Sequence, residues 1–178
     1  MGGSRAHRQN WPEGAWGRRL RGKGSQAAAL SVCEHLDRVG HIGARILVHC
    51  DLGAIEWRDS LPLCQALADH LGLELVVLRR ERGDMLDRWE SRWQSSVTCY
   101  QDLSTVTLLP CWSTPSMRFC TSEMKTHPIE AMLKRRFPGR TILNVTGVRR
   151  AESRRRARLA IADQGADGRI WNWRPILN

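Results

Sequence analysis

Apolar side chains set the order of elements from Gln26 onward. Ala29, Leu30, Cys33 and Leu36 recur at helical spacing, and Gly40 supplies a stop. Arg45–Cys50 (R-I-L-V-H-C) reads as a short strand ending at Asp51 and Gly53. Asp59 then stands as an N-cap for a helix through Leu71, with Cys64, Leu67, Ala68 and Leu71 on one face. Leu73–Leu78 (L-E-L-V-V-L) predicts a second strand, and a helix follows around Met85–Trp93 before a loop that closes at Pro110. Residues 116–136 read as a loop running into a helix, with Pro128 near its start or at a kink. Thr141–Thr146 predicts a third strand ended by Gly147, Ala151–Ala162 a very basic helix, and Ile170–Leu177 a last strand. Residues 1–24 have no apolar period and read as an irregular or disordered basic arm, leaving 25–178 as a single domain.

Helices and strands that alternate over short connections belong to an α/β protein with an open parallel sheet and helices on both faces. In such sheets the ligand sits at the carboxyl ends of the strands. That rule selects Asp51-Leu52-Gly53 and Gly147-Val148-Arg149. A carboxylate there accepts from ribose or amino donors, glycine admits close backbone approach, and arginine suits phosphate or sulfate.

Composition and charge narrow the picture. With 42% hydrophobic and 26% charged residues in 178, the chain has a soluble globular balance, and no apolar run suits a membrane span. The N-terminal arginines precede no apolar core of a secretory signal, so the expected location is cytoplasmic. The six cysteines form no C-x-x-C pair, which gives no signal for a zinc or iron–sulfur site; Cys33 and Cys64 read as small core hydrophobes. The net charge of +10 is uneven: residues 1–23 carry +5, residues 133–158 carry +9, and the remainder −4. Such clusters neutralise phosphates of a nucleotide or a nucleic-acid backbone, or else form a solvated helix face.

Three segments carry candidate chemistry. Gly22-Lys23-Gly24-Ser25 precedes the first helix, where backbone N–H groups and the helix dipole favour an anion, although short tetrapeptides of this kind are common. In P-S-M-R-F-C-T-S-E-M-K-T-H-P (115–128), Arg118 and Lys125 are seven apart and on a continuous helix would share a face for one polyanion. Cys120 between them is either a reactive thiol or a buried cysteine of a basic helix. In T-G-V-R-R-A-E-S-R-R-R-A (146–157), Gly147 and Arg149 lead to Glu152, Ser153 and Arg156, the makings of a strand–turn–helix anion site. An arginine-rich helix binding nucleic acid is the alternative, but the apolar stretch Leu159–Ala162 favours a docked helix with a basic head.

Together, R-F-C-T-S-E-M-K-x-x-P, T-G-V-R-R-A-E-S-R-R-R-A and W-N-W-R-P-I resemble the second half of phosphoadenosine-phosphosulfate (PAPS) reductase-like proteins of the PP-loop superfamily. Upstream, H-C-D-L-G-A-I-E-W is similar to the family's strand end, and G-K-G-S-Q-A-A-A-L to the tail of its S-G-G-K-D-S phosphate loop. The resemblance spans about residues 22–178. It implies a Rossmann-like PP-loop fold and an adenine nucleotide, ATP or phosphoadenosine phosphosulfate, as ligand. Members reduce a sulfonucleotide or use ATP to adenylate a substrate, some of them in sulfur-transfer modification of nucleic acids.

Carried over by position, Gly22, Lys23 and Ser25 would face the phosphates, and Asp51 and Gly53 would lie near the adenosine. Arg118 and Lys125, with Gly147, Arg149, Glu152, Ser153 and Arg156, would form the far wall. The chain also departs from the pattern. Gly24 replaces the loop aspartate, Leu20 and Arg21 stand where its serine and first glycine belong, and A-W-G-R-R replaces a regular first strand. The reductases' C-terminal E-C-G-x-H motif is absent, which argues against thioredoxin-dependent reduction. These departures imply that residues 1–21 are a frame-shifted or misassigned start. They also admit a non-catalytic fragment, or a basic module contacting nucleic acid.

Overall fold

The computed structural model describes residues 24–114, 117–165 and 168–177. The candidate positions Gly22 and Lys23, and the expected arm apart from Gly24, lie outside the described residues. The chain divides into two compact units, a contiguous one of Gly43–Arg140 and a terminal one formed by the described parts of Met1–Ile42 and Thr141–Asn178.

In the contiguous unit, β1 (Ile46–Asp51) pairs in parallel with β2 (Glu74–Arg79), Ile46 opposite Glu74 and Asp51 opposite Arg79. Their crossover is α2 (Ser60–Leu71), which buries Leu67 and Ala68. Asp59 is its N-cap residue as the sequence predicts, but with helical backbone angles and no capping hydrogen bond from its side chain. Gly72 ends the helix at φ 64°, and its N–H donates to the carbonyls of Ala68 and Asp69; this left-handed closure is one that glycine adopts without penalty. Helix α3 (Met85–Gln101) runs eight residues past the predicted Trp93, and a reciprocal capping box between Asp84 and Asp87 fixes its start. Its first residue, Met85, is fully buried against Phe119 and Met124, with Leu52, Trp89 and Cys120 around them.

The expected helix ending at Arg136 is interrupted. A single turn, α4 (Phe119–Thr121), passes into a π-helical turn (Ser122–Thr126) and then into α5 (His127–Arg136). Pro128 accounts for the break. It stands in the first turn of α5, where its missing N–H leaves no bond unmade, while the N–H of His127 reaches back to Ser122 instead. At the far end of α5, Arg136 forks onto Glu74 with contacts of 2.7 and 2.5 Å, tying the helix to the start of β2.

The terminal unit begins with α1 (Gly24–Arg38), which buries Gln26, Ala28, Val32 and Cys33. Its sheet has the order β3 (Ile142–Val145), β5 (Ile170–Trp173), β4 (Ala162–Gln164). The β3–β5 pair is parallel; β4 departs from the all-parallel expectation and runs antiparallel to β5. The basic helix expected over Ala151–Ala162 does not form. A 3-10 turn (Arg150–Glu152) and the single turn α6 (Arg154–Ala157) take its place, and Ala162 already belongs to β4. Ser153 is extended (φ −172°, ψ 157°) and caps α6 by accepting from the N–H of Arg156, so the two turns cannot join. Pairing with β5 then outweighs the helix preference of the alanines. Parallel pairing beside helices makes the chain a mixed α/β protein.

A polar ladder crosses this sheet. Asn144 donates to Asn172 at 3.0 Å, Asn172 to Asp163 at 2.9 Å, and Arg174 to Asp163 at 2.5 Å. Asn144 and Asp163 each stand opposite Asn172 in register, so the first two bonds also fix the pairing. The Arg174 guanidinium, and then the Asn172 amide, hold the Asp163 carboxyl below the usual carboxylate range. A carboxyl lowered by folding adds stability above its unfolded value, roughly pH 4, and withdraws it as the pH falls through the folded value. Asp163→Asn is therefore expected to flatten the acid limb of a stability–pH curve below about pH 4. Urea melts across pH 2–6 that gave parallel curves for both proteins would refute this.

Candidate functional site

Two glycines bring the start of α1 to the end of β3. A side chain on Gly147 would fall inside contact distance of the Gly24 carbonyl carbon and the Ser25 nitrogen, and one on Gly24 would meet the Gly147 carbonyl oxygen. Backbone therefore lies directly on backbone, which puts exposed Ser25 beside the strand-end turn. Here a helix of 15 residues presents the positive end of its dipole.

The turn beyond Gly147 carries the arginines. Thr146 donates to the Trp173 carbonyl (3.0 Å) and Arg150 to the Leu177 carbonyl (2.9 Å), which holds the segment at both ends. Glu152 pairs with Arg149 (Nε to Oε1, 3.3 Å) through one oxygen and with Arg156 through the other. One carboxylate thus aims two guanidiniums and leaves both with spare N–H donors and a net positive charge. Gly147 lies against Ser25, and Arg149, Glu152, Ser153 and Arg156 follow it in the segment that leads from β3 through the 3-10 turn to α6.

The strand end of β1 lies in the contiguous unit and has different chemistry. Gly53 stands at φ 75° and its N–H donates to Asp51 Oδ1 at 2.8 Å; a side chain on it would collide with Asp84. Both strain and space therefore demand glycine. Arg79 lies 3.8 Å from Asp51 and 4.0 Å from Asp84. The Asp84 carboxyl is held low, first by the Asp87 N–H and further by those of Leu86 and Ala54. Glu56, three residues beyond Gly53, has a buried Oε2 with no hydrogen-bond partner among the described residues. Burial pushes the neighbouring Cys50 thiol up, against the opposing pull of Lys125.

Arg118 and Lys125 do not share one helix. Arg118 is the N-cap of α4 at φ −93°, ψ 48°, and the π turn lies between the two, so seven residues no longer return to one face. Cys120 packs against the Met85–Phe119–Met124 cluster, and its N–H donates to Ser113 Oγ at 3.2 Å. Among the described residues, no group of three or more His, Cys, Asp or Glu side chains could hold a metal ion, and no helix is long and apolar enough to cross a membrane.

Sequence patterning missed an open cleft of about 650 Å³ in the contiguous unit. Arg80 and Arg82 line it from the segment after β2, Asp87, Arg88 and Ser91 from α3, and Glu123 and His127 from the π turn and α5. Arg88 forks onto Glu123 with contacts of 2.7 and 2.9 Å, and Arg80 stands 3.7 Å away. The one signal for it was a run of arginines directly after a strand end. Comparison with protein-family models, curated proteins and solved structures gave no match.

Proposed function

We propose that the chain binds an adenine nucleotide or sulfonucleotide through a PAPS reductase-like domain of the PP-loop type, its phosphates held at the start of α1. The observation that supports this reading is the Gly24–Gly147 approach, which sets a helix N-terminus against the strand-end turn, together with the two arginines further along that turn that share one glutamate. A dipole end, a hydroxyl and two partly neutralised guanidiniums suit a phosphate or sulfate better than they suit a neutral ligand. The motif resemblance supplies the nucleotide; the turn supplies only the anion. Sulfonucleotide reduction and ATP-dependent adenylation are the ancestral activities the reading brings with it, and binding is the part these residues support.

Thermal melts of the full chain test it. ATP or adenosine 3′,5′-bisphosphate should raise the melting temperature where the same concentration of inorganic phosphate does not. Arg149→Ala, which removes a charge-assisted donor, should weaken binding about tenfold or more. An unshifted melt with either nucleotide, accompanied by salt-sensitive binding of DNA or RNA, would favour the basic module instead.

A further inference from the structure

The cleft beside α3 is a second anion site, and we propose that it takes a small ligand bearing a phosphate or sulfate group. This inference is independent of the nucleotide reading, since every residue it uses lies within Gly43–Arg140.

The side chains around the cleft contain no hydrophobic residue, which argues against an apolar ligand. Its two carboxylates are already engaged. Asp87 accepts from the Asp84 N–H at 2.7 Å within the capping box, and Glu123 is gripped by the Arg88 fork. The Arg88 guanidinium, then Arg80 and His127, hold the Glu123 carboxyl low. Arg88 is fixed from below as well, with its guanidinium carbon 5.0 Å from the centre of the Phe119 ring. The floor is therefore a settled ion pair rather than two mobile charges.

Above it the cations are in excess. Three guanidiniums face two carboxylates, and no carboxylate among the described residues pairs with Arg82. Arg80 donates to the Arg82 carbonyl at 2.8 Å, which stiffens the turn that presents both side chains. The Ser91 hydroxyl and the His127 imidazole complete a set of donors around the opening. Guanidiniums in pairs with a hydroxyl match the several oxygens of a tetrahedral oxyanion, and a volume of this size admits more than a bare ion.

The test is calorimetric titration of inorganic pyrophosphate into the full-length chain at low salt. Saturable binding is expected, weakened at least tenfold by Arg82→Glu and by Ser91→Asp. Both substituted side chains are exposed, and thermal melts of the variants establish that they fold. Pyrophosphate binding that survives both cleft variants, or no saturable binding at all, overturns the assignment. So does a mixed-sequence oligonucleotide that binds in an Arg82-dependent way where pyrophosphate does not, because the cleft would then read a polymer backbone.

Discussion

Gly147→Ala is expected to destabilise the fold and abolish the nucleotide-induced thermal shift together. The added methyl has no room to move into: its neighbours are the Gly24 carbonyl carbon and the Ser25 nitrogen, both backbone, rather than the far end of a flexible side chain. Relief requires the start of α1 to back away from the end of β3. Overpacking of this kind costs about 1–3 kcal/mol, which in a chain of this size is a fall of roughly 2–4 °C in melting temperature per kcal/mol. Gly24→Ala acts on the same contact from the other side, against the Gly147 carbonyl. Once either alanine has separated the two backbones, the second has less left to disrupt. The double variant should therefore lose less than the sum of the single ones. Strict additivity in thermal or urea melts would mean that the two glycines do not meet.

Met85→Ala should have the largest effect on stability in the contiguous unit. Met85 is fully buried against Phe119 and Met124, and it is the first residue of α3, with its N–H held at 3.3 Å from the Leu52 carbonyl. Removing a methionine from such a place costs about 2–5 kcal/mol, the spread reflecting how far the walls collapse. Leu86→Ala one position on, where the side chain is 45% exposed, is the internal control and should cost far less. Because Phe119 both lines that core and lies under Arg88, the cavity variant should also loosen pyrophosphate binding in the cleft. Equal unfolding midpoints for the two variants in urea would contradict the burial argument.

Much of the element order could be read from the sequence, because the signals involved are local. The run R-I-L-V-H-C, the Gly40 stop and the helix up to Gly72 follow from period and termination chemistry within a few residues. α3 was cut short for an opposite reason. Its second half, Gln94–Gln101, is too polar to show a stripe, although the Asp84–Asp87 cap that begins it is a local signal. The Ala151–Ala162 segment shows where local reading fails. Its arginines and alanines favour a helix, and only the distant strand Ile170–Trp173 draws Ala162–Gln164 into a sheet. The turn at Gly147 was legible as chemistry, since strand ends gather ligands, but its closeness to Gly24 joins residues more than a hundred apart. Beyond the arginines at the end of β2, the cleft was not legible. Its members come from three segments with no shared spacing, and only their meeting in space makes them a set.

The division of the chain has a consequence for the order of events during synthesis. Gly43–Arg140 is one continuous stretch, whereas the other unit needs α1 from one side of it and three strands from the other. β3 must also wait for β5, its parallel partner, which leaves the ribosome after it. The contiguous unit can therefore fold while the chain is still being made. α1, already emerged, meanwhile carries an uncovered apolar face, the interval in which a chaperone would find it.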